Sequence, residues 1–310
     1  MKENKRAVYG ILMLIFIFFV MIMVFAAFTI NAFKDEGDLI ASKNKGKAQI
    51  GVVELNEVIY DSKKIIELLK KAEEDDSLKA IILRINSPGG AVGPTQEIYE
   101  EIRRIDGPFN LKDKSDDRKG KPIYASFGSV AASGGYYLGA ATRRIYTNAG
   151  TITGSIGVIM QFMDLHKLFE FAMVNPTTIK AGRYKDIGQP NRPMTDEERS
   201  LLNTTVADVH EQFIEDILKL RKDKIKGDIR ELAQGQIYSG KQALDHGLVD
   251  EIAGLEGAGR AIFKELKLEG DFKLKRIEKK KKVRFYDLLE DMEGLMQMMK
   301  SMFSTNVRTY

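Results

Sequence analysis

A serine at a predicted strand-to-helix turn is the first residue of this chain that could do chemistry. Ser133 lies in residues 128–137, a run rich in glycine, alanine and serine that follows a predicted strand and opens a predicted helix. Amides at a helix N-terminus stabilise developing negative charge, so a serine placed there could attack a carbonyl group. Close packing of small residues against a sheet explains the same run without catalysis, and such turns are common.

A pair of glycines forms the second candidate. Gly89 and Gly90 end the motif at residues 86–90, directly after the apolar run at residues 80–85. Glycine lets the backbone turn sharply and leaves an N–H group uncovered, which could point at a substrate carbonyl oxygen. A simple tight turn is the better interpretation of this motif when it is considered alone.

A nucleophilic serine needs a base, and the composition narrows the choice. The chain has no cysteine, which excludes disulfides, thiolate metal sites and a cysteine nucleophile. Its three histidines, His166, His210 and His246, all fall in helical patterns without a glycine-rich or strand-end setting. The sequence therefore disfavours a Ser-His-Asp triad.

Lysine is the other known base for a serine nucleophile, and Lys185 is the candidate. It lies in a glycine-bounded segment, residues 180–188, outside any helical pattern. A lysine base must be neutral, which requires partial removal from water or nearby positive charge. Arg183 would favour the neutral form and Asp186 would oppose it. An exposed loop lysine is the alternative, because lysine is rarely buried without a reason.

Alternating strands and helices must position these residues. Short apolar runs predict strands, and apolar residues at helical spacing predict helices. Their alternation is typical of parallel crossover units. The charged stretch at residues 107–121 is expected to be an exposed loop. The predicted strands cover residues 49–55, 80–85 and 122–126, and the predicted helices cover residues 61–72, 93–105 and 195–221, the last capped by Thr195.

The most apolar stretch, residues 8–30, carries no charge. A bilayer core needs about 20 helical residues, so this stretch predicts a single membrane span. A cleaved signal peptide would have a shorter apolar core ending in small residues. The positive-inside rule keeps the N-terminus in the cytoplasm and places the rest of the chain outside it. Basic residues precede the span and acidic residues follow it: Lys2, Lys5 and Arg6, then Asp35, Glu36 and Asp38.

Four segments follow from these patterns. Residues 1–30 form the cytoplasmic N-terminus and anchor, residues 31–47 a linker, residues 48–270 the main domain, and residues 271–310 a basic, methionine-rich arm. A solvated charge run before a packed helix explains the arm, and contact with a neighbouring subunit or the membrane surface is the alternative. The net charge of +4 does not indicate nucleic-acid binding.

Taken in order behind one membrane span, these motifs resemble the signal peptide peptidase A family of membrane-bound bacterial serine peptidases. The resemblance extends over residues 48–257, and the combination is specific although no single motif is. The motifs that carry it are residues 86–90, 128–137, 153–158, 182–186 and 235–250.

The resemblance implies an α/β, crotonase-like fold of repeated strand-strand-helix units, shared with the caseinolytic-type peptidases. It implies Ser133 as nucleophile, Lys185 as general base and Ser155 as the serine that orients this lysine. Gly90 would supply a backbone N–H to the oxyanion hole. We add Gly134, because the residue after a nucleophile often donates the second N–H. No metal or cofactor is implied.

The implied activity is hydrolysis of apolar signal peptides by a membrane-anchored ring whose sites are completed between neighbouring subunits. Two alternatives stay open at this point. A crotonase-type acyl-CoA enzyme would share the fold and the oxyanion site but would need neither Ser133 nor Lys185. A non-enzymatic membrane scaffold would keep the fold without the chemistry, because function resides in a site and not in a fold.

Overall fold

The computed structural model describes residues 49–107 and 120–278. The predicted span at residues 8–30, the linker at residues 31–47, and most of both the predicted loop (107–121) and the predicted C-terminal arm (271–310) lie outside these ranges. Within them, no helix has the length and apolar character that a membrane crossing requires.

Strands and helices alternate along the first half of the described chain, as predicted. Each strand that the periodicity predicted is present and extends one to six residues further toward its C-terminus. In chain order the first elements are β1 (Gln49–Asn56), α1 (Lys63–Glu74), β2 (Leu78–Ser87), α2 (Val92–Asp106), β3 (Ile123–Ala132), α3 (Gly134–Ala140), β4 (Ile145–Thr147) and β5 (Ile152–Gly154).

The second half is mainly helical with short strands. One helix of 26 residues dominates it, and Thr195 caps this helix through a capping box with Glu198, as the sequence predicted. The elements are α4 (His166–Phe171), α5 (Asp196–Arg221), α6 (Ile229–Leu232), β6 (Ile237–Ser239), α7 (Gly240–Asp245), β7 (Glu251–Ile252), α8 (Leu255–Glu265) and β8 (Leu274–Arg276).

The described strands form one mixed sheet of eight strands that is mainly parallel. Its main path runs β6-β5-β3-β2-β1-β8, and β4 joins β3 to β7 beside that path. All pairings are parallel except that of β5 with β6, which is antiparallel. This architecture is consistent with the expected crotonase-like, caseinolytic-peptidase-like class.

The core lies on both faces of the sheet, because alternate side chains of a buried strand point to opposite sides. Val53 and Leu83 belong to the larger cluster, which includes residues of α1, α2, α3 and α5. Val52 and Ile82 belong to a smaller cluster with Ile262 of α8. The strands are therefore covered on both sides, as parallel strands usually are.

Helix α5 is packed on this core only through its C-terminal half, where Phe213 and Ile217 are buried. Its N-terminal half is mostly exposed, and the segment before it is more so. Between residues 159 and 194, Asp186 is the only buried residue. We call residues 159–194 the exposed arm.

Candidate active site

Three neighbouring strands bring the predicted motifs to one edge of the sheet. β3 pairs in parallel with β2 on one side and with β5 on the other, so their carboxyl ends lie together. Gly90, Ser133 and Ser155 come shortly after those three ends. Open α/β sheets bind their ligands at such an edge, and this edge is the candidate site.

Ser133 occupies the turn from β3 into α3, as the sequence predicted. Its backbone has φ 52° and ψ −121°, a region that residues with a side chain rarely adopt. Holding such a conformation costs about 1–3 kcal/mol, and residues of this kind concentrate at functional sites. Ser133 is half-buried and lines two cavities, one apolar and one more open.

Two backbone N–H groups beside Ser133 are uncommitted. Ile59 bridges the glycine loop, donating to the carbonyl of Gly89 at 2.9 Å and accepting from Ala91 at 2.8 Å. This bridge does not involve the N–H groups of Gly90 and Gly134. Among the described residues, neither of these two N–H groups has a hydrogen-bond acceptor. Such donors next to a nucleophile are what an oxyanion hole requires.

Gly89 allows these groups to approach one another. Its φ is +100°, and a β-carbon at this position would lie 2.6 Å from the nitrogen of Gly134 and 2.9 Å from the β-carbon of Ser133. A side chain at residue 89 would therefore cover the first N–H of α3. Glycine is required here for both its backbone conformation and its lack of a side chain.

Polar side chains brace the loop at the end of β2. The side-chain oxygen Oδ1 of Asn86 accepts from the N–H groups of Ser129 at 3.1 Å and Val130 at 3.2 Å, which ties the loop to β3. The Ser87 hydroxyl accepts from the N–H of Gly89 at 3.1 Å. The motif at residues 86–90 is thus a braced turn whose position relative to Ser133 is set by β3.

Ser155 follows β5 and also has a left-handed backbone, with φ 50°. Its N–H donates to the carbonyl of Gln236 at 2.7 Å. It lines the more open cavity, together with Ser133 and Gly90. We call this cavity, with a volume of about 610 Å³, the larger cavity. The structure therefore brings four of the five predicted site residues together, since Gly134 adjoins Ser133.

Lys185 is the predicted site residue that this single chain does not bring to Ser133. It is exposed, lies in a turn, and lines neither of the two cavities that Ser133 lines. Among the described residues its ammonium group has no hydrogen-bond or ion-pair partner.

The smaller cavity beside Ser133 has a volume of about 120 Å³ and is largely apolar. The ring of Tyr137 packs at 4.9 Å from that of Phe213, and both residues line it. Burial raises the pKa of Tyr137 well above its usual range, and its hydroxyl donates to Asp216. The valine, isoleucine and aromatic side chains that line this cavity suit an aliphatic group.

His210, which the sequence analysis set aside as a base, lies at the candidate site. It lines the larger cavity with Ser133 and Ser155, and its Nε2 is buried without a hydrogen-bond partner among the described residues. The signal was present, because His210 precedes the buried residues Phe213, Ile214 and Ile217 by three, four and seven positions. That spacing places the imidazole on the inward face of α5.

The other two histidines have structural surroundings. His166 begins the short helix α4 in the exposed arm, with its Nδ1 at 2.6 Å from Asp164. His246 is the C-cap residue that follows α7, and its ring packs against that of Tyr238 with the ring centres 5.3 Å apart. Neither lines a cavity at Ser133.

Two family profiles match the chain. The profile of peptidase family S49 matches residues 115–269, and that of the Clp proteases matches residues 49–111. The first match includes Ser133, Ser155 and Lys185, and the second includes Gly90.

Individual proteins show the same likeness. A protein of Enterococcus faecium named as a signal peptide peptidase is 35% identical over 67% of this chain and 57% of its own length. A protein of Synechocystis named as a protease is 35% identical over 70% of this chain and 74% of its own length. A chloroplastic serine protease of Arabidopsis thaliana is 33% identical over 64% of this chain and 27% of its own. The chain thus spans 57% of the first relative and a smaller share of the plant protein.

Proposed function

Because this chain belongs to peptidase family S49, we propose that it is a membrane-anchored serine endopeptidase that degrades cleaved signal peptides and similar apolar peptides. We propose Ser133 as its nucleophile and Lys185 as its general base. The observation that carries the proposal is the geometry at Ser133, a strained turn residue between two uncommitted N–H donors.

The reaction proceeds through an acyl-enzyme. Neutral Lys185 takes the proton of the Ser133 hydroxyl, whose oxygen attacks the peptide carbonyl carbon. The N–H groups of Gly90 and Gly134 bind the oxyanion, and loss of one such donor costs about 3–4 kcal/mol in the barrier. Lys185 then protonates the leaving amine, and water hydrolyses the ester. Ser155 orients the lysine by a hydrogen bond.

The base comes from a neighbouring subunit in this proposal. Lys185 lies outside both cavities of its own chain, whereas the larger cavity has room beside Ser133 and Ser155. Docking would remove the lysine ammonium from water, which favours the neutral amine.

The exposed arm supports assembly into a ring. Four of its apolar side chains are 80% to 97% exposed, and exposed apolar patches mark interaction surfaces. These residues are Ile159, Phe171, Met173 and Ile179.

The smaller cavity and the predicted anchor support the proposed substrate class. An apolar cavity next to the nucleophile suits an aliphatic side chain beside the scissile bond. The span at residues 8–30 would hold the peptidase domain at the extracytoplasmic face of the cell membrane, where cleaved signal peptides remain. Membrane fractionation and digestion of intact cells by added protease test this placement.

A histidine base is the second candidate, and the position of His210 favours it. His210 lines the cavity of Ser133 within the same chain and has an unpartnered Nε2. The matching motif at residues 182–186 favours the lysine instead. Membership of a peptidase family disfavours the acyl-CoA enzyme, which has no use for either base.

The decisive experiment measures cleavage of a signal-peptide-like substrate by the full-length chain in detergent. Ser133→Ala and Lys185→Ala are expected to abolish cleavage, while His210→Gln retains it. Lys264→Ala, which alters an exposed lysine of α8, is the control and keeps normal activity. Full activity of Lys185→Ala together with loss in His210→Gln would replace the lysine base by the histidine.

Two further measurements test the nucleophile and the supply of the base by a neighbouring subunit. A fluorophosphonate probe should label Ser133, and a folded, unlabelled protein would favour the inactive scaffold. Mixing Ser133→Ala chains with Lys185→Ala chains should restore part of the activity, since one supplies the base and the other the nucleophile. No restoration in mixed assemblies would contradict a base supplied by a neighbour.

A further inference from the structure

The only buried residue of the exposed arm, Asp186, is the immediate neighbour of Lys185. A buried carboxylate requires charged or hydrogen-bonding partners. Arg192 supplies them in a two-point contact, with Nε at 2.9 Å from Oδ2 and Nη2 at 2.9 Å from Oδ1. Lys180 donates to Oδ1 as well. The hydrogen bonds from Arg192 and Lys180 hold the pKa of Asp186 well below its usual range.

The guanidinium of Arg192 also contacts the first turn of α5. Arg192 donates from Nη1 to Glu198 Oε2 at 2.9 Å and from Nη2 to Oε1 at 2.5 Å. Glu198 is itself held by the capping box, accepting from the N–H of Thr195 at 3.0 Å. One arginine therefore joins the carboxylate beside Lys185 to the end of a 26-residue helix. We call Asp186, Arg192 and Glu198 the bracket.

The residue on the other side of Lys185 is tied to the same helix turn. The hydroxyl of Tyr184 and the guanidinium of Arg183 both donate to Glu197. Lys185 thus stands between two anchored neighbours, while its own ammonium has no partner among the described residues. The contacts hold the backbone of residues 184–186 and leave the lysine side chain available.

Stability of the fold does not by itself explain so many charged contacts on an exposed arm. Isolated ion pairs at a protein surface contribute little, and a two-point network such as the bracket contributes more. This network, however, joins parts of the arm to the exposed end of α5 and adds almost nothing to the core. Catalytic groups, by contrast, must be held close to their productive geometry by neighbouring residues. A displacement of about 1 Å can reduce a rate by about 100-fold.

We propose that Arg192 is the positioning residue of the base: through Asp186 and Glu198 it holds Lys185 at the angle required to enter the larger cavity of a neighbouring subunit. This inference rests on the proposed function of Lys185. It assigns to Arg192 a role in turnover and not in substrate binding, because the bracket touches neither cavity at Ser133.

The first test compares Arg192→Met with a matched control on the full-length chain in detergent. Arg104 also bridges two carboxylates, Glu73 at 3.0 Å and Glu101 at 2.8 Å, but between α1 and α2, away from the site. Arg192→Met is expected to lower kcat at least about tenfold with little change in KM. Arg104→Met should leave both constants unchanged. Equal activity of the two variants would overturn the proposal.

The conservative variant adds a second readout. A lysine at residue 192 keeps the charge but cannot contact two carboxylates in a two-point manner, so Arg192→Lys should recover kcat only in part. Full recovery would show that charge alone suffices and would overturn the role of the bracket geometry.

Mixed assemblies distinguish a role of Arg192 in positioning Lys185 from damage to the whole Arg192→Met chain. Arg192→Met chains keep an intact Ser133, and Ser133→Ala chains keep an intact bracket, so their mixture should regain as much activity as the Lys185→Ala and Ser133→Ala mixture. Recovery in the lysine mixture alone would show damage to the whole chain and overturn the inference. Recovery in neither mixture would refute the supply of the base by a neighbour and would overturn this inference together with that part of the proposed function.

Discussion

The backbone N–H of Ser133 donates to the carbonyl oxygen of Gly154 at 2.8 Å. This bond continues the pairing of β3 with β5 by one step beyond Ala132 and joins the proposed nucleophile to the residue preceding Ser155. Both serines have left-handed backbones, with φ 52° and 50°. The sheet thus holds two unfavourable conformations side by side, which places both serines at the edge of one cavity.

The backbone strain at Ser133 predicts a gain in stability when its side chain is removed. Ser133→Gly should abolish activity and raise the free energy of unfolding by about 1 kcal/mol, because glycine adopts this conformation at low cost. Thermal unfolding of the full-length chain in detergent measures the gain. Ser133→Ala is the control, since alanine keeps the strain. An equal gain in both variants would refute the prediction.

The close approach of Gly89 to Gly134 predicts a strong loss of turnover on adding one methyl group. Gly89→Ala would place its β-carbon 2.6 Å from the Gly134 nitrogen and force a non-glycine residue to φ +100°. We expect kcat to fall at least about 100-fold, the effect of losing one oxyanion donor. Gly93→Ala is the control, because a β-carbon there meets open space. Normal kcat in Gly89→Ala would exclude Gly134 as a donor.

The smaller cavity predicts the preferred residue beside the scissile bond. A volume of about 120 Å³ accommodates an aliphatic side chain, so leucine should be favoured over alanine about tenfold or more in kcat/KM. Val209→Trp would fill the cavity and remove this preference, while cleavage next to alanine persists. The two matched peptides serve as mutual controls. An equal loss with both peptides would show that Val209 does not set specificity.

The bracket predicts an acid-sensitive contribution to stability. The hydrogen bond from Arg192 lowers the pKa of Glu198 from 4.5 to about 2. A group whose pKa is lower in the folded state contributes stability above its unfolded pKa, and this contribution is lost as the pH falls through the folded value. The thermal midpoint should therefore fall between about pH 5 and pH 2. In Arg192→Met the thermal midpoint should fall less steeply as the pH decreases. An unchanged slope would show that the contact between Arg192 and Glu198 is not the origin of the acid sensitivity.

Local signals predicted the long elements well. The apolar periodicity of β1, β2, α1 and α2 and the acidic start of α5 indicated each element within a few residues of its observed bounds. The short strands β4 to β8 were not predicted, since two or three residues carry no period. Their pairing depends on neighbours distant in the chain, including the contact between β5 and β6.

The sequence by itself determined the α/β class, because periodicity is a local property of the chain. Its ordered motifs, through their resemblance to a known family, indicated the peptidase family and Ser133, Ser155 and Gly90 as candidate site residues. Only the tertiary structure decided how these residues meet. It placed His210 in the cavity, showed Lys185 on an exposed arm, and joined Asp186 to Glu198 through Arg192. The physical reason is that cavities and ion networks depend on distances between residues far apart in the chain, which helix and strand patterns do not contain.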